Sequence, residues 1–124
     1  MKKISLRQSF HYAFEGIVKA VKDERNFKIH LCAAIIALGL ATFLKASQAE
    51  FMLLLISITM VLTAELINTA IERAVDLYCG DKFNRLAKIA KDTAAGAVML
   101  TAINALAVGY IVFFDKIAVL IDKV

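Results

Sequence analysis

The 124-residue chain has no proline, five glycines and two cysteines, and each scarcity excludes something. Without proline, no fixed kink interrupts its long apolar runs. Cys32 and Cys79 lack metal-ligand spacing and fall at different depths of the chain, so both are expected as free thiols. No glycine-rich loop of the Walker type is present, which excludes that route to a nucleotide. Residues 1–26 carry charges throughout and contain no apolar core, so no cleavable signal peptide is expected. Repeats, low-complexity tracts and linkers are lacking too, and Cys79-Gly80-Asp81 is the one obvious breaker.

What is present is apolar. Hydrophobic residues make up 60% of the chain and the mean hydropathy is +0.72. That balance leaves little polar surface for a soluble domain, and it predicts one all-α integral membrane unit over residues 1–124. Three stretches can span: Phe27 to Leu44, Phe51 to Ile71, and Thr93 to Phe114, the last without a charge. With flanks included, the spans are expected at about 27–47, 50–75 and 91–115, the first being marginal against the roughly 20 residues a bilayer requires. A soluble three-helix bundle would need polar stripes along its helices, and the third stretch has almost none.

Twelve of the fifteen Lys and Arg lie before residue 31 or between 72 and 92. The positive-inside rule then puts the N-terminus and the 72–92 loop in the cytoplasm, with the 45–50 turn and the C-terminus outside. The net charge of +4 thus reflects topology and anionic headgroups rather than nucleic acid.

Residues 1–26 form a separate pattern. Leu6, Phe10, Phe14, Ile17, Val18 and Val21 share one helical face, while Arg7, Gln8, His11, Glu15, Lys19 and Lys22 lie mostly away from it. This predicts a helix lying on the membrane surface, whether as a simple anchor or as part of a site. The charged corner Asp23-Glu24-Arg25-Asn26 follows and carries Glu24 to the interface.

The most specific signal is Glu65-Leu-Ile-Asn-Thr-Ala-Ile-Glu-Arg-Ala-Val-Asp76, which continues directly out of the apolar run Phe51 to Ala64. Glu65, Asn68, Glu72 and Asp76 fall on one helical face. Ionisable groups in a membrane segment are costly enough to be functional candidates. Glu65 lies about 10 Å deeper than Glu72, where it suits either a base that takes a proton from a hydroxyl or a structural hydrogen bond to Asn68 or Asn104. Glu24 and Glu72, meeting at the interface, suit Mg²⁺, which prefers oxygen ligands and is commonly held by one or two carboxylates plus phosphates. Lys82, Arg85, Lys88 and Lys91 are nearby cations, either for phosphate oxygens or simply as a solvated charge run.

The stripe Glu65 to Asp76, followed by Ala90-Lys91-Asp92, resembles the signature of the small prokaryotic diacylglycerol kinase family, which includes the undecaprenol kinases of Gram-positive bacteria. The resemblance covers nearly the whole chain, from surface helix through three spans. It implies a homotrimer in the cell membrane that transfers the γ-phosphate of MgATP to a lipid hydroxyl at sites shared between protomers. By position it implies Glu65 as general base, Glu24 and Glu72 as ligands of Mg²⁺-ATP, and Lys91 and Asp92 as nucleotide contacts. Asn68 would orient Glu65 or the nucleotide, Asp76 would support the loop, and Tyr12 would lie near the nucleotide. Asp81, Lys82 and Phe83 correspond to adenine-side contacts.

The segment Arg25-Asn26-Phe27-Lys28-Ile29-His30 resembles the Gram-positive undecaprenol kinase form of this corner, whereas Gram-negative diacylglycerol kinases carry an acidic residue at the position of His30. The resemblance therefore implies undecaprenol as acceptor with His30 at the lipid, diacylglycerol being the alternative. His30 also fits a headgroup-level histidine without a selective role. A small oligomeric proton or cation pathway would also place Glu65 and Asn68 in a membrane helix. Such a pathway needs a polar stripe reaching the outer surface, yet beyond Glu65 the same face meets Val61, Leu62, Ile58 and Leu54.

Overall fold

The computed structural model describes residues 4–124, and within them all regular structure is helical: α1 (Leu6–Asp23), α2 (Arg25–Phe43), α3 (Gln48–Cys79) and α4 (Arg85–Asp122). Three of these, α2, α3 and α4, are long and apolar enough to cross a membrane. At 1.5 Å per residue the 19 residues of α2 reach about 28 Å, just the thickness of a hydrocarbon core, while α3 and α4 exceed it at about 48 and 57 Å.

Ser5 starts α1 with a capping box. Its hydroxyl accepts from Gln8 N–H, and the Gln8 side chain accepts from Ser5 N–H at 2.9 Å. The apolar face of the helix remains open, with Leu6, Phe10 and Phe14 all strongly exposed. An uncovered amphipathic face of this kind suits the headgroup boundary.

A single residue separates α1 from α2. Glu24 is extended (φ −97°, ψ 114°), closing one helix and opening the next, and its side chain makes no capping hydrogen bond. Its carboxylate is thereby left for other partners.

The first apolar helix stops at Phe43, short of residue 47. Lys45 N–H donates to Thr42 carbonyl and Ala46 N–H to Ala41 carbonyl, with Lys45 at φ +54°. That is a Schellman motif with lysine in the place usually taken by glycine. Ser47 then opens α3 with a second capping box to Glu50, and Glu50 pairs with Lys116 of α4 at 3.0 Å.

At the other end, most of the 72–92 segment is helix rather than loop. α3 runs on to Cys79 and α4 begins at Arg85, where the Asn84 side chain accepts from Leu86 and Ala87 N–H. Lys88 and Asp92, four residues apart, pair along the exposed side of α4. Gly80 at φ +56° makes the turn, a conformation only glycine adopts cheaply.

α3 is the central element, packing on each of the other three helices. Its inner stripe changes character along its length: Leu54, Ser57 and Val61 are buried toward one end, Glu65, Asn68 and Thr69 toward the other. The apolar core is small, Ala41, Leu54 and Val112 at its centre, and large side chains such as Ile36, Leu100, Leu106 and Ile111 face outward. A surface this apolar belongs to a protein solvated by lipid. Both cysteines are free.

Candidate active site

The stripe of α3 organises two clusters. The deeper one begins at Glu65, whose side chain is 4% exposed and has His30 of α2 against it, Nε2 to Oε1 at 3.2 Å. One turn further toward the polar end, Asn68 Nδ2 donates to Glu72 Oε1 at 3.3 Å. Asn68 Oδ1 is buried and has no hydrogen-bond partner among the described residues, an acceptor awaiting a donor or a cation.

Glu24 arrives from the α1–α2 corner. Arg73 on α3 reaches both Glu24 Oε1 (3.3 Å) and Asp23 Oδ2 (3.4 Å), so one guanidinium fastens the corner to the stripe. Glu65 lies within electrostatic reach of both Glu72 and Glu24. Arg73 thus pairs with Asp23 and Glu24, His30 with Glu65, and Asn68 with Glu72, so along this stretch carboxyl groups outnumber the cations that meet them. Among the described residues no group of three or more His, Cys, Asp or Glu side chains closes around a metal position. A cation held here would have to draw most of its shell from phosphate and water, as Mg²⁺ can.

The second cluster lies one turn beyond Glu72. Asp76 accepts from Lys91, and Lys88 donates to Asp92. With Lys82, Phe83 and the backbone turn at Gly80 they line a cleft of about 220 Å³ between the ends of α3 and α4. Lys82, Phe83, Lys91 and Asp92 are therefore brought together; Asp81 stands in the same turn but does not line the cleft. Tyr12 is not brought to either cluster by its own chain's corner. It lies 11 residues before Asp23 on α1, about 16 Å along the axis, exposed, with its ring 6.0 Å from that of His11.

In the other direction from Glu65 the surroundings turn apolar. A groove of about 450 Å³ opens at His30 and runs along Ala34, Ala37, Val61, Ile58 and Leu54, with Tyr110 and Phe113 of α4 on its far side. Of its lining hydroxyls, Ser57 and Tyr110, that of Ser57 donates back to Leu54 carbonyl at 3.3 Å. Among the described residues the groove beyond His30 is lined mainly by apolar side chains.

Arg73 had no role in the sequence reading. Two adjacent acids at a corner whose only N-cap is a glutamate are the signal that a cation must approach from another helix. The contact of His30 with Glu65 joins residues 35 apart on different helices, which a helical repeat does not reveal.

The chain's similarities point the same way as its geometry. The profile of the prokaryotic diacylglycerol kinase family matches residues 11–113. A diacylglycerol kinase of Synechocystis sp. is 42% identical over 105 residues, covering 85% of this chain, which spans 60% of that relative's length. An undecaprenol kinase of Bacillus subtilis is 40% identical over 110 residues, 89% of each chain, and a diacylglycerol kinase of Escherichia coli is 31% identical over 76% of each. Three membrane-crossing helices, an intramembrane carboxylate stripe and a match over most of the length place this chain in the prokaryotic diacylglycerol kinase family, a family of membrane lipid kinases.

Proposed function

We propose that this chain phosphorylates undecaprenol, transferring the γ-phosphate of MgATP at the cytoplasmic face of the cell membrane as a homotrimer with sites shared between protomers. One observation carries the reading: Glu65 pairs with His30, a residue that lines an apolar groove, and stands on the stripe of α3 that runs on to Asp76 in a cleft lined by Lys82, Lys88 and Lys91. A lipid alcohol enters from one side and a nucleotide from the other.

Phosphoryl transfer asks little covalent work of the protein, since positioning and charge neutralisation dominate. Glu65 accepts the proton of the lipid hydroxyl as its oxygen bonds to the γ-phosphorus, the bond to the bridging oxygen breaks and ADP leaves. Lys91 is placed to exchange Asp76 for the transferred phosphate. Lys82 and Phe83 flank the nucleotide's base end, and Asp92 holds Lys88 beside it. Glu24, Glu72 and the open Oδ1 of Asn68 would hold Mg²⁺ or its water, which supplies neutralisation of the β- and γ-phosphate charge.

The positive-inside distribution orients the N-terminus and the Gly80 turn to the cytoplasm. Support for undecaprenol comes from the apolar groove, from His30 in its lining and from the Bacillus subtilis relative. The Synechocystis relative is named for diacylglycerol, so that lipid is the comparison to make. Purified protein in vesicles, given radiolabelled ATP with each acceptor in turn, is expected to label undecaprenol at the higher kcat/KM. Preferential labelling of diacylglycerol would assign phosphatidic acid as the product instead.

A further inference from the structure

His30 occupies two places at once. It lines the apolar groove, and its Nε2 lies 3.2 Å from Glu65 Oε1. Among the described residues no other side chain hydrogen-bonds or ion-pairs with that carboxylate. The other charges facing it, Glu72 from α3 and Glu24 from the corner, are of its own sign, and the α4 residues that line the groove, among them Ala102, Ala105 and Leu106, carry no charge.

A buried carboxylate needs a partner to hold its orientation. Its two oxygens are equivalent until one is engaged, and an unheld carboxyl group rotates. Small misplacements at a reacting centre are expensive, about 10²-fold for 1 Å. The imidazole is anchored on α2 and, at 27% side-chain exposure, is only partly open, so it is a stiff partner.

We propose that His30 is a positioning residue for the transfer, engaging Glu65 Oε1 through Nε2 and thereby presenting Oε2 to the lipid hydroxyl. This differs from a role in choosing the lipid, because it acts through the base rather than on the acceptor. It rests on the reading of Glu65 as that base.

The test uses the full-length protein in vesicles with undecaprenol and MgATP. His30→Ala and His30→Leu are expected to lower kcat by about 10- to 100-fold, with KM for lipid and for ATP within about threefold of wild type. His30→Gln, which keeps an N–H donor at similar reach, is expected to recover at least about tenfold of that loss. Combined with Glu65→Gln, the His30 substitutions are expected to cost nothing more, because residues that act as a unit are non-additive.

A kcat unchanged in His30→Ala, a loss confined to lipid KM, or a His30→Gln no better than His30→Leu would each overturn the inference. Loss of MgATP binding in every His30 variant, whatever stands at 65, would show a structural role and overturn it too. Full activity in Glu65→Gln alone would instead remove the base, and the reading of the site with it.

Discussion

Glu65 and Glu72 stand on one helix face with the same chemistry and different surroundings. Glu65 is enclosed and faces an imidazole, while Glu72 accepts from Asn68 one turn from the exposed end. Replacing Glu65 with Gln keeps the shape and removes the proton acceptor. Transfer is expected to fall about 10²- to 10⁴-fold while MgATP still binds, as calorimetry on the variant would record; undiminished turnover would take Glu65 out of the chemistry. Glu24→Gln and Glu72→Gln act on the other reactant. Each is expected to abolish Mg²⁺-dependent nucleotide binding, and normal affinity in both would mean the cation sits elsewhere. Arg73 bridges Asp23 and Glu24 at a half-exposed surface, where an ion pair contributes about 0–1 kcal/mol. Its value lies in aiming the corner, so Arg73→Met is expected to weaken MgATP binding with little change in thermal stability.

The helices are set by their ends. Lys45 holds a left-handed conformation at φ +54°, which costs an L-residue about 1–2 kcal/mol. Lys45→Gly relieves that but adds chain entropy to the unfolded state, for a net gain of a few tenths to about 1 kcal/mol. Gly80→Ala runs the other way: nothing crowds the added Cβ, yet φ +56° remains, for a loss of about 1–3 kcal/mol. Thermal unfolding in detergent should move up for the first and down for the second; the same direction for both would show that the turns are not what limits stability. The two turns also show what the sequence made legible. Glu65, Asn68, Glu72 and Asp76 could be placed on one face because helical spacing is a local property, and the breaker at Gly80 is equally local. The helical ends of α3 and α4 beyond the apolar runs are not announced by the sequence, since paired charges such as Lys88 and Asp92 look alike on a solvated helix and in a coil. The early stop at Phe43 was hidden because a lysine holds the position where glycine would announce it. Contacts between helices, His30 with Glu65 and Arg73 with Glu24, leave no period to read.

At the scale of the whole molecule the single chain encloses Glu65 but leaves Asp76, Lys88 and Asp92 open. α3 delivers both clusters, but among the described residues no three metal-ligating side chains converge, Tyr12 stands far along α1 from the corner, and large apolar side chains of α4 face outward. In a bilayer those side chains are stable against lipid, so the surface alone does not demand a partner. The proposed transfer would gain from one, because water-exposed phosphates lose most of the electrostatic stabilisation that an enclosed site gives. In the proposed homotrimer a second copy closing over the stripe would supply the missing wall. The two clusters then need not come from one chain in each working site: Glu65 of one protomer can serve with Lys91 of its neighbour. Glu65→Gln and Lys91→Met are each expected to be inactive when assembled alone. If the sites are shared in this way, protomers of the two variants unfolded, mixed and reassembled in vesicles should regain a substantial fraction of wild-type transfer, because some interfaces unite an intact Glu65 with an intact Lys91. Mixed assemblies as dead as their parents, with oligomer formation confirmed by cross-linking, would confine both residues to one protomer's site and leave the neighbour only the role of a lid.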